Sequence, residues 1–139
     1  MFLLDTNVVS ELRKVRGGRA DRGVSRWANT VDAADLYLSV VSYEELEIGV
    51  LLVERRDRRQ GAALRTWLEQ HVLPGFADRI LPMDVAVVAR SAGLHIPDPQ
   101  PIRDAYIAAT ALVHGLTLVT RNVADFETTG VTVLNPWAG

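Results

Sequence analysis

Short apolar runs alternate with helical patterns along the chain, and this alternation restricts the fold more than any other feature of the sequence. A run that is apolar throughout, such as Phe2–Leu4, is typical of a strand covered on both faces of a sheet. Four further runs are predicted to be strands, at Leu36–Val41, Ile80–Met83, Leu116–Val119 and Val131–Leu134. Strands that alternate with helices form βαβ units, so the sequence predicts an α/β fold with about five strands in a mainly parallel sheet.

The segments between the strands carry the apolar spacing of helices. The predicted helices cover about residues 8–12, 25–30, 42–54, 60–73, 85–93 and 102–113. Asp84 is the expected N-cap of the fifth helix, and Gly115 is expected to end the sixth in a left-handed conformation. The glycine- and arginine-rich segment Val15–Gly23 is predicted to be a mobile loop. Without repeats or linkers, we expect residues 1–139 to form a single domain.

Composition excludes several classes of function. The 17 acidic and 15 basic residues give a net charge of −2, so the whole chain has no general attraction to nucleic acid. The absence of cysteine excludes disulfides, thiolate metal sites and cysteine nucleophiles, and it fits a reducing compartment. No apolar stretch reaches the roughly 18 residues of a membrane span, and the N-terminus lacks a signal-peptide pattern. We therefore expect a cytoplasmic protein with no membrane contact.

Four acidic residues, Asp5, Glu45, Asp104 and Asp125, recur near the ends of predicted strands or the starts of helices. Ligands of open parallel sheets bind outside the carboxyl ends of the strands. Carboxylates gathered there without lysine or histidine are suited to Mg²⁺ or Mn²⁺. Asp104 lies in an apolar helix with no basic residue three or four positions away, and the adjacent Arg103 is expected to point elsewhere.

Helix capping is an alternative explanation for these acids. Asp5 has the position of an N-cap. Ser42 and Glu45 have the spacing of a capping box, in which Glu45 would accept from the Ser42 amide. Asn122 could cap a helix in which Asp125 is an early acid that suits the helix dipole. Capping does not explain why all four acids fall at one edge, where confined carboxylates repel each other unless a cation neutralises them.

Other polar and aromatic residues are weaker candidates. Residues that could orient the carboxylates, with simple capping or turn formation as the equal alternative, are Thr6, Asn7, Thr120 and Asn122. Residues that could contact RNA are Arg13, Lys14, Arg16 and Arg19 in a basic stretch, which could equally be solvated surface, and Tyr43. Trp27 is predicted to pack in the core. The three histidines, His71, His95 and His114, lack metal-ligand spacing and are predicted to be structural or surface residues.

Three blocks of the sequence, LLDTNVVSEL, LSVVSYEELEIGV and IRDAYIAATALVHGLTLVTRNVADF, resemble the PIN-domain family. More narrowly, they are similar to VapC-type toxins of bacterial toxin–antitoxin pairs, including the FitB-like branch. The resemblance implies a three-layer α/β/α fold and a Mg²⁺- or Mn²⁺-dependent endoribonuclease. It implies that Asp5, Glu45, Asp104 and Asp125 bind the metal and act in catalysis. Glu44 competes with Glu45 for one of these positions, and the S-x-x-E spacing favours Glu45.

The resemblance also implies partners: structured RNA such as tRNA, a cognate VapB-like antitoxin, and a second copy in a homodimer or larger toxin–antitoxin complex. Apolar residues between Ile48 and Val53 cover most of a helix circumference, which indicates a second buried face that such a partner could cover. The alternative function is a non-catalytic RNA- or protein-binding α/β module.

Overall fold

A five-stranded sheet forms the centre of the molecule, in a computed structural model that describes residues 1–138. The strands are β1 (Phe2–Leu4), β2 (Leu36–Ser39), β3 (Ile80–Leu81), β4 (Thr117–Val119) and β5 (Val133–Leu134). They lie in the order β3-β2-β1-β4-β5, and every neighbouring pair is parallel. The predicted α/β fold with five strands is confirmed, although β2 to β5 are each shorter than predicted.

Helices follow or precede every strand of this sheet. They are α1 (Thr6–Leu12), α2 (Arg22–Ala28), α3 (Val40–Arg56), α4 (Arg58–Trp67), α5 (Val85–Leu94) and α6 (Ile102–His114). A π-helical turn (Leu68–Val72) and a last α-turn (Leu73–Gly75) extend α4. Short 3-10 helices lie at Ala33–Asp35, Val123–Phe126 and Pro136–Ala138. Within residues 1–138, no helix combines the length and the apolar character needed to cross a membrane.

The two faces of the sheet carry separate hydrophobic cores. Leu4 and its register neighbours Leu38 and Val119 face one side, where α1, α3 and the π-helical turn cover them. Leu3 and its neighbour Leu118 alternate to the other side, where α6 and the 3-10 helix after β4 cover them. Successive side chains of a strand point to opposite faces, so the apolar runs need two covering layers. The result is the three-layer α/β/α arrangement that the resemblance implied.

The junction between β2 and α3 differs from the prediction. The strand ends at Ser39, whose Oγ accepts the N–H of Val41 at 3.0 Å and caps α3. The β-branched pair Val40 and Val41 favours a strand, yet both residues belong to the helix. Ser42 therefore lies inside α3, where its buried Oγ has no hydrogen-bond partner among residues 1–138. The predicted capping box of Ser42 and Glu45 is wrong.

Helix α2 begins earlier than predicted, within the segment expected to be a loop. Asp21 is its N-cap and accepts the N–H of Val24 at 3.1 Å. Gly23 lies in the first turn, and a Cβ added there would overlap the carbonyl oxygen of Pro136. A glycine thus allows the backbone of α2 to pack directly against the C-terminal 3-10 helix. Gly23 serves this close approach and does not belong to a mobile loop, contrary to the prediction.

The extension of α4 also runs past its predicted end before Pro74. The Leu73 N–H bonds to the carbonyl of Leu68, so the turn that precedes the proline is widened. This widening lets the chain remain helical to Gly75, although Pro74 has no N–H to donate. Two other predicted helix ends are confirmed: Asp84 caps α5 by accepting the Val87 N–H at 3.0 Å, and Gly115 ends α6 with φ 66°.

Candidate active site

The sheet reverses its direction of winding between β1 and β4. The chain passes from β1 to β2 and β3 on one side, and β4 and β5 lie on the other. Such a switch point is where open α/β sheets bind their ligands, outside the carboxyl ends of the strands. Asp5 follows β1 and Thr120 follows β4, and the Thr120 Oγ1 donates a 2.7 Å hydrogen bond to Asp5 Oδ2. The candidate site is built around this pair.

The Asp5 carboxylate combines capping with contacts across the sheet. Its Oδ1 accepts the Thr6 N–H at 2.8 Å, as an N-cap does, while Oδ2 accepts from Thr120 and, at 3.4 Å, from Asn7 Nδ2. Asp5 is only 8% exposed. Burial raises the pKa of Asp5 above its ordinary value, the hydrogen bonds from Thr120 and Thr6 lower it, and the negative charge of Asp125 raises it further.

Glu45 reaches the same place from α3. The Thr6 Oγ1 donates a 2.8 Å hydrogen bond to Glu45 Oε1. Thr6 therefore holds both carboxylates, that of Asp5 through its N–H and that of Glu45 through its hydroxyl. The Glu45 side chain is 28% exposed, whereas that of Glu44 is 66% exposed. Glu47 is occupied elsewhere, in a paired contact with Arg65 at 2.7 and 2.8 Å. The geometry therefore favours Glu45 over Glu44 as the glutamate of the site.

Asp104 and Asp125 come from the other face of the sheet. Asp104 lies in the first turn of α6, and Asp125 in the exposed 3-10 helix that buried Phe126 anchors to the core. Desolvation raises the pKa of Asp104, and the negative charges of Asp125, Asp5 and Glu45 raise it further. Because Asp104 senses all three other carboxylates, the four predicted acids share one neighbourhood.

These acids do not form a closed cage by themselves. Within residues 1–138, no group of three or more His, Cys, Asp or Glu side chains is arranged so that it could hold a metal ion. The arrangement is an open acidic site, since Asp125 is exposed and Glu45 is partly exposed.

A hydrogen-bond network supports the carboxylates at the switch point. Besides donating to Asp5, Thr120 accepts the N–H of Asn122 at 3.1 Å and approaches Asn7 Nδ2 at 3.5 Å. The Arg121 N–H donates to Asn7 Oδ1 at 3.3 Å. Thr6, Asn7 and Thr120 thus contact the acids through their side chains. Asn122 contributes its backbone, and the expectation that its side chain caps the following helix is wrong.

Arg103 is the site residue that the sequence analysis missed. Its guanidinium reaches α3, where Nη1 lies 3.9 Å from Glu45 Oε2 and Nη2 lies 4.0 Å from Glu44 Oε1. Its side chain is 51% exposed. The only signal in the sequence was its position in the first turn of a helix beside a predicted acid.

Two adjoining clefts lead from Glu45 toward the basic stretch. One, of about 340 Å³, opens beside Glu45 and runs between α1 and α3 to Arg13 and Trp67. The other, of about 310 Å³, shares Arg13 and Trp67 with the first and reaches Arg16 and His71. The Arg13 guanidinium lies 5.9 Å from the centre of the Trp67 ring. A path lined with cationic and aromatic groups therefore leads away from the carboxylates.

The remaining candidates divide between surface and core. Arg19 is exposed, and Lys14 forms an ion pair with Glu11 at 3.2 Å. Tyr43 lies in the first turns of α3 and packs against the core, and burial raises its pKa. Trp27 packs as predicted, with its ring edge-on to Phe2 at 5.5 Å.

The environments of the three histidines fit the predicted structural or surface role. His95 Nδ1 accepts the N–H of Gln100 at 3.0 Å, and this bond stabilises the loop before α6. His71 lies exposed in the π-helical turn and lines the second cleft, and His114 lies exposed in the last turn of α6.

Comparison with known proteins places the chain in a family. The profile of the PIN domain matches residues 2–130. The chain belongs to the PIN-domain family. The match includes all four acids and the two strands that flank the switch point, so the resemblance in the sequence is confirmed at the level of the family.

Individual relatives cover nearly the whole chain. It is 40% identical to Toxin FitB of Neisseria gonorrhoeae, over 99% of each chain. It is 37% identical to VapC ribonuclease Y4jK of Sinorhizobium fredii, over 99% of this chain and 98% of the relative. Among solved structures, FitAcB from N. gonorrhoeae superposes with a TM-score of 0.88 at 38% identity, over 99% of both chains. A toxin–antitoxin complex from Klebsiella pneumoniae superposes with a TM-score of 0.67 at 26% identity, over 98% of both chains.

Proposed function

We propose that this PIN-domain protein is a metal-dependent endoribonuclease that acts as the toxin of a toxin–antitoxin pair. The observation that carries the proposal is the convergence of four carboxylates at the switch point. Thr6 links Asp5 to Glu45, and burial together with the charges of Asp125, Asp5 and Glu45 raises the pKa of Asp104. Relatives of nearly full length bear the names of a ribonuclease and of a toxin, which supports the same activity here.

The donor set fits a hard divalent cation, Mg²⁺ or Mn²⁺. Asp5, Glu45, Asp104 and Asp125 offer only carboxylate oxygens, and a cation would relieve the repulsion among them. Mg²⁺ commonly binds proteins through one or two carboxylates and keeps several waters, so an open site suits it. When bound, such a cation acidifies a water and stabilises negative charge on a phosphate.

The other residues of the site position these carboxylates. Thr6 holds Asp5 through its N–H and Glu45 through its hydroxyl, so one residue sets the distance between two acids. Thr120 and Asn7 hold the second oxygen of Asp5 from the neighbouring strand end and from α1. The loss of such a supporting contact typically lowers metal affinity or activity by about 10–100-fold. The hydrogen bonds from Thr120 and Thr6 also lower the pKa of Asp5 and so oppose the larger effect of its burial.

We propose structured RNA, with tRNA foremost, as the substrate, and the clefts beside Arg13 and Arg16 as its path to the acids. The reaction is a hydrolysis in which activated water attacks the phosphodiester. The water oxygen bonds to phosphorus as the P–O3′ bond breaks, and the leaving 3′ oxygen takes up a proton. The products are a 5′-phosphate and a 3′-hydroxyl, and no cyclic phosphate forms because the RNA's own 2′-hydroxyl takes no part. RNA of this kind is met in the cytoplasm, and a chain without cysteine suits that reducing compartment.

A cleavage assay on total tRNA and mRNA tests the enzyme proposal. Wild-type protein should give discrete cuts with 5′-phosphate ends in Mg²⁺ and none in EDTA, and Asp5→Asn and Asp104→Asn should abolish them. Asp78→Asn is the matched control, because Asp78 is exposed and precedes β3 at the opposite edge of the sheet. Ends that carry a 2′,3′-cyclic phosphate, or cuts that survive both substitutions, would contradict the proposal. Metal binding without any cutting would favour the non-catalytic module.

We further propose a small antitoxin partner and a homodimer. The solved structure of a related toxin–antitoxin complex supports the first. Leu51 and Leu52 on α3, 53% and 58% exposed, are apolar surface that an assembly would cover. Purification from the native host should recover a small partner, and light scattering should give twice the mass of the chain for the isolated protein. A monomer that carries no partner at physiological concentration would refute both.

A further inference from the structure

The acidic site poses an electrostatic problem for an RNA enzyme, because the substrate is itself a polyanion. Four carboxylates lie at the switch point, and Glu44 adds a fifth at the rim. Within residues 1–138, Glu44 and Glu45 each form an ion pair with the same cation, the guanidinium of Arg103. This guanidinium lies beside Glu44 and Glu45, at the rim of the acidic site.

The contacts of Arg103 are loose by the standard of this same molecule. Arg65 is held by Glu47 and Glu54 at 2.7–3.2 Å through four hydrogen bonds, and its side chain is 25% exposed. Arg103 is 51% exposed, and its nitrogens lie 3.9 and 4.0 Å from the glutamate oxygens, beyond hydrogen-bond distance. The donors of Arg65 are committed to the fold, whereas those of Arg103 are available to a ligand.

We infer that Arg103 is a substrate-binding residue that holds a backbone phosphate of the RNA at the mouth of the acidic site. A guanidinium presents paired N–H donors that match two phosphate oxygens, which a lysine does not. Glu44 and Glu45 attract the guanidinium to the rim of the site without hydrogen-bonding it, so its N–H donors stay available to a phosphate. Because the inference concerns the RNA of the proposed endoribonuclease, it rests on that proposed function.

The test measures RNA binding as a function of salt, in the cleavage-deficient Asp5→Asn background with Mg²⁺ and fluorescent bulk tRNA. Each phosphate contact contributes about 0.7–0.9 to the slope of log affinity against log salt. We expect Arg103→Ala to lower this slope by about that amount and to weaken binding about tenfold at moderate salt. Arg103→Lys should keep the slope and lose part of the affinity, because it keeps the charge without the paired donors.

The control is Arg56→Ala. Arg56 is exposed and lies eleven residues beyond Glu45 on α3, about 16 Å along the helix axis, so its loss should leave the slope unchanged. In the cleavage-competent background, Arg103→Ala should raise KM and leave the thermal midpoint as in wild type, because the side chain is half-exposed.

Three results would overturn the inference. An Arg103→Ala protein with wild-type affinity and slope shows that the side chain does not meet the RNA. An unchanged slope together with a lower kcat or weaker Mg²⁺ binding assigns Arg103 to positioning Glu45 alone. If wild-type protein neither cuts nor binds RNA, the proposed function is refuted and this inference with it. In the first two results wild type still cuts RNA, so they refute only the inference.

Discussion

Thr6→Val tests the hydrogen bond from the Thr6 hydroxyl to Glu45, which links Glu45 to the residue that also holds Asp5. Valine keeps the shape of threonine and the backbone N–H that Asp5 accepts, so the change removes only the 2.8 Å hydrogen bond to Glu45. A hydrogen bond to a charged group contributes about 1.5–3 kcal/mol, and the 28% exposure of Glu45 favours the lower end. A loss of about 1.5 kcal/mol corresponds to about a tenfold change in an equilibrium or rate constant.

We expect Thr6→Val to weaken Mg²⁺ binding about tenfold in calorimetry and to lower kcat/KM for RNA cleavage by a similar factor. Thr6→Ser restores the hydroxyl and should recover most of both. The same loss should lower the melting temperature by about 3–6 °C, and Thr6→Ser should recover that too. Wild-type Mg²⁺ affinity and kcat/KM in the valine variant would show that Glu45 needs no support from Thr6.

Three further predictions follow from burial and charge. Asp104→Asn should raise the melting temperature of metal-free protein and abolish its further rise with Mg²⁺, since it removes a carboxylate that three like charges destabilise; an unchanged or lower metal-free melting temperature contradicts this. The raised pKa values of Asp5 and Asp104 mean that the folded state holds these protons more tightly than the unfolded chain. Their contribution to the free energy of unfolding is therefore fully present below pH 3.8, the ordinary pKa of aspartate, and is lost as the pH rises through the folded pKa values. Urea titrations at a series of pH values should show this loss in wild type but not in the variant with both Asp5→Asn and Asp104→Asn. Gly23→Ala should destabilise by about 1–3 kcal/mol through overlap with Pro136, while Gly93→Ala, with open space around its Cβ, should be neutral or stabilising in denaturant unfolding.

The parallel sheet and the position of the site could be predicted because few other folds are compatible with the short apolar runs of this sequence. Runs such as Phe2–Leu4 are too short for helices and too apolar for a one-sided sheet, so they required a covered parallel sheet. Once the sheet is parallel, its carboxyl ends share one edge, and residues that follow separate strands meet there. Asp5 and Thr120 lie 115 positions apart in sequence and share a 2.7 Å hydrogen bond for that reason.

The errors arose where local signals compete with packing. Val40 and Val41 are typical strand residues, but Ser39 caps the helix, and Val41 then packs into the core beside α6. Nothing local to Gly23 distinguishes a loop glycine from one that lets two backbone segments approach, because the contact is with Pro136 near the other end of the chain. Arg103 was missed because spacing along one helix says nothing about Glu44 and Glu45 on another.

The proposed function requires that the four carboxylates at the switch point hold a divalent cation. Crystals of the protein soaked in Mn²⁺ can show this, because anomalous scattering locates the ion independently of the protein. We expect a peak in contact with the carboxylates of Asp5 and Asp104, which disappears when Asp5 is replaced by Asn. Mn²⁺ that is absent from this edge of the sheet, or bound only elsewhere on the surface, would contradict it.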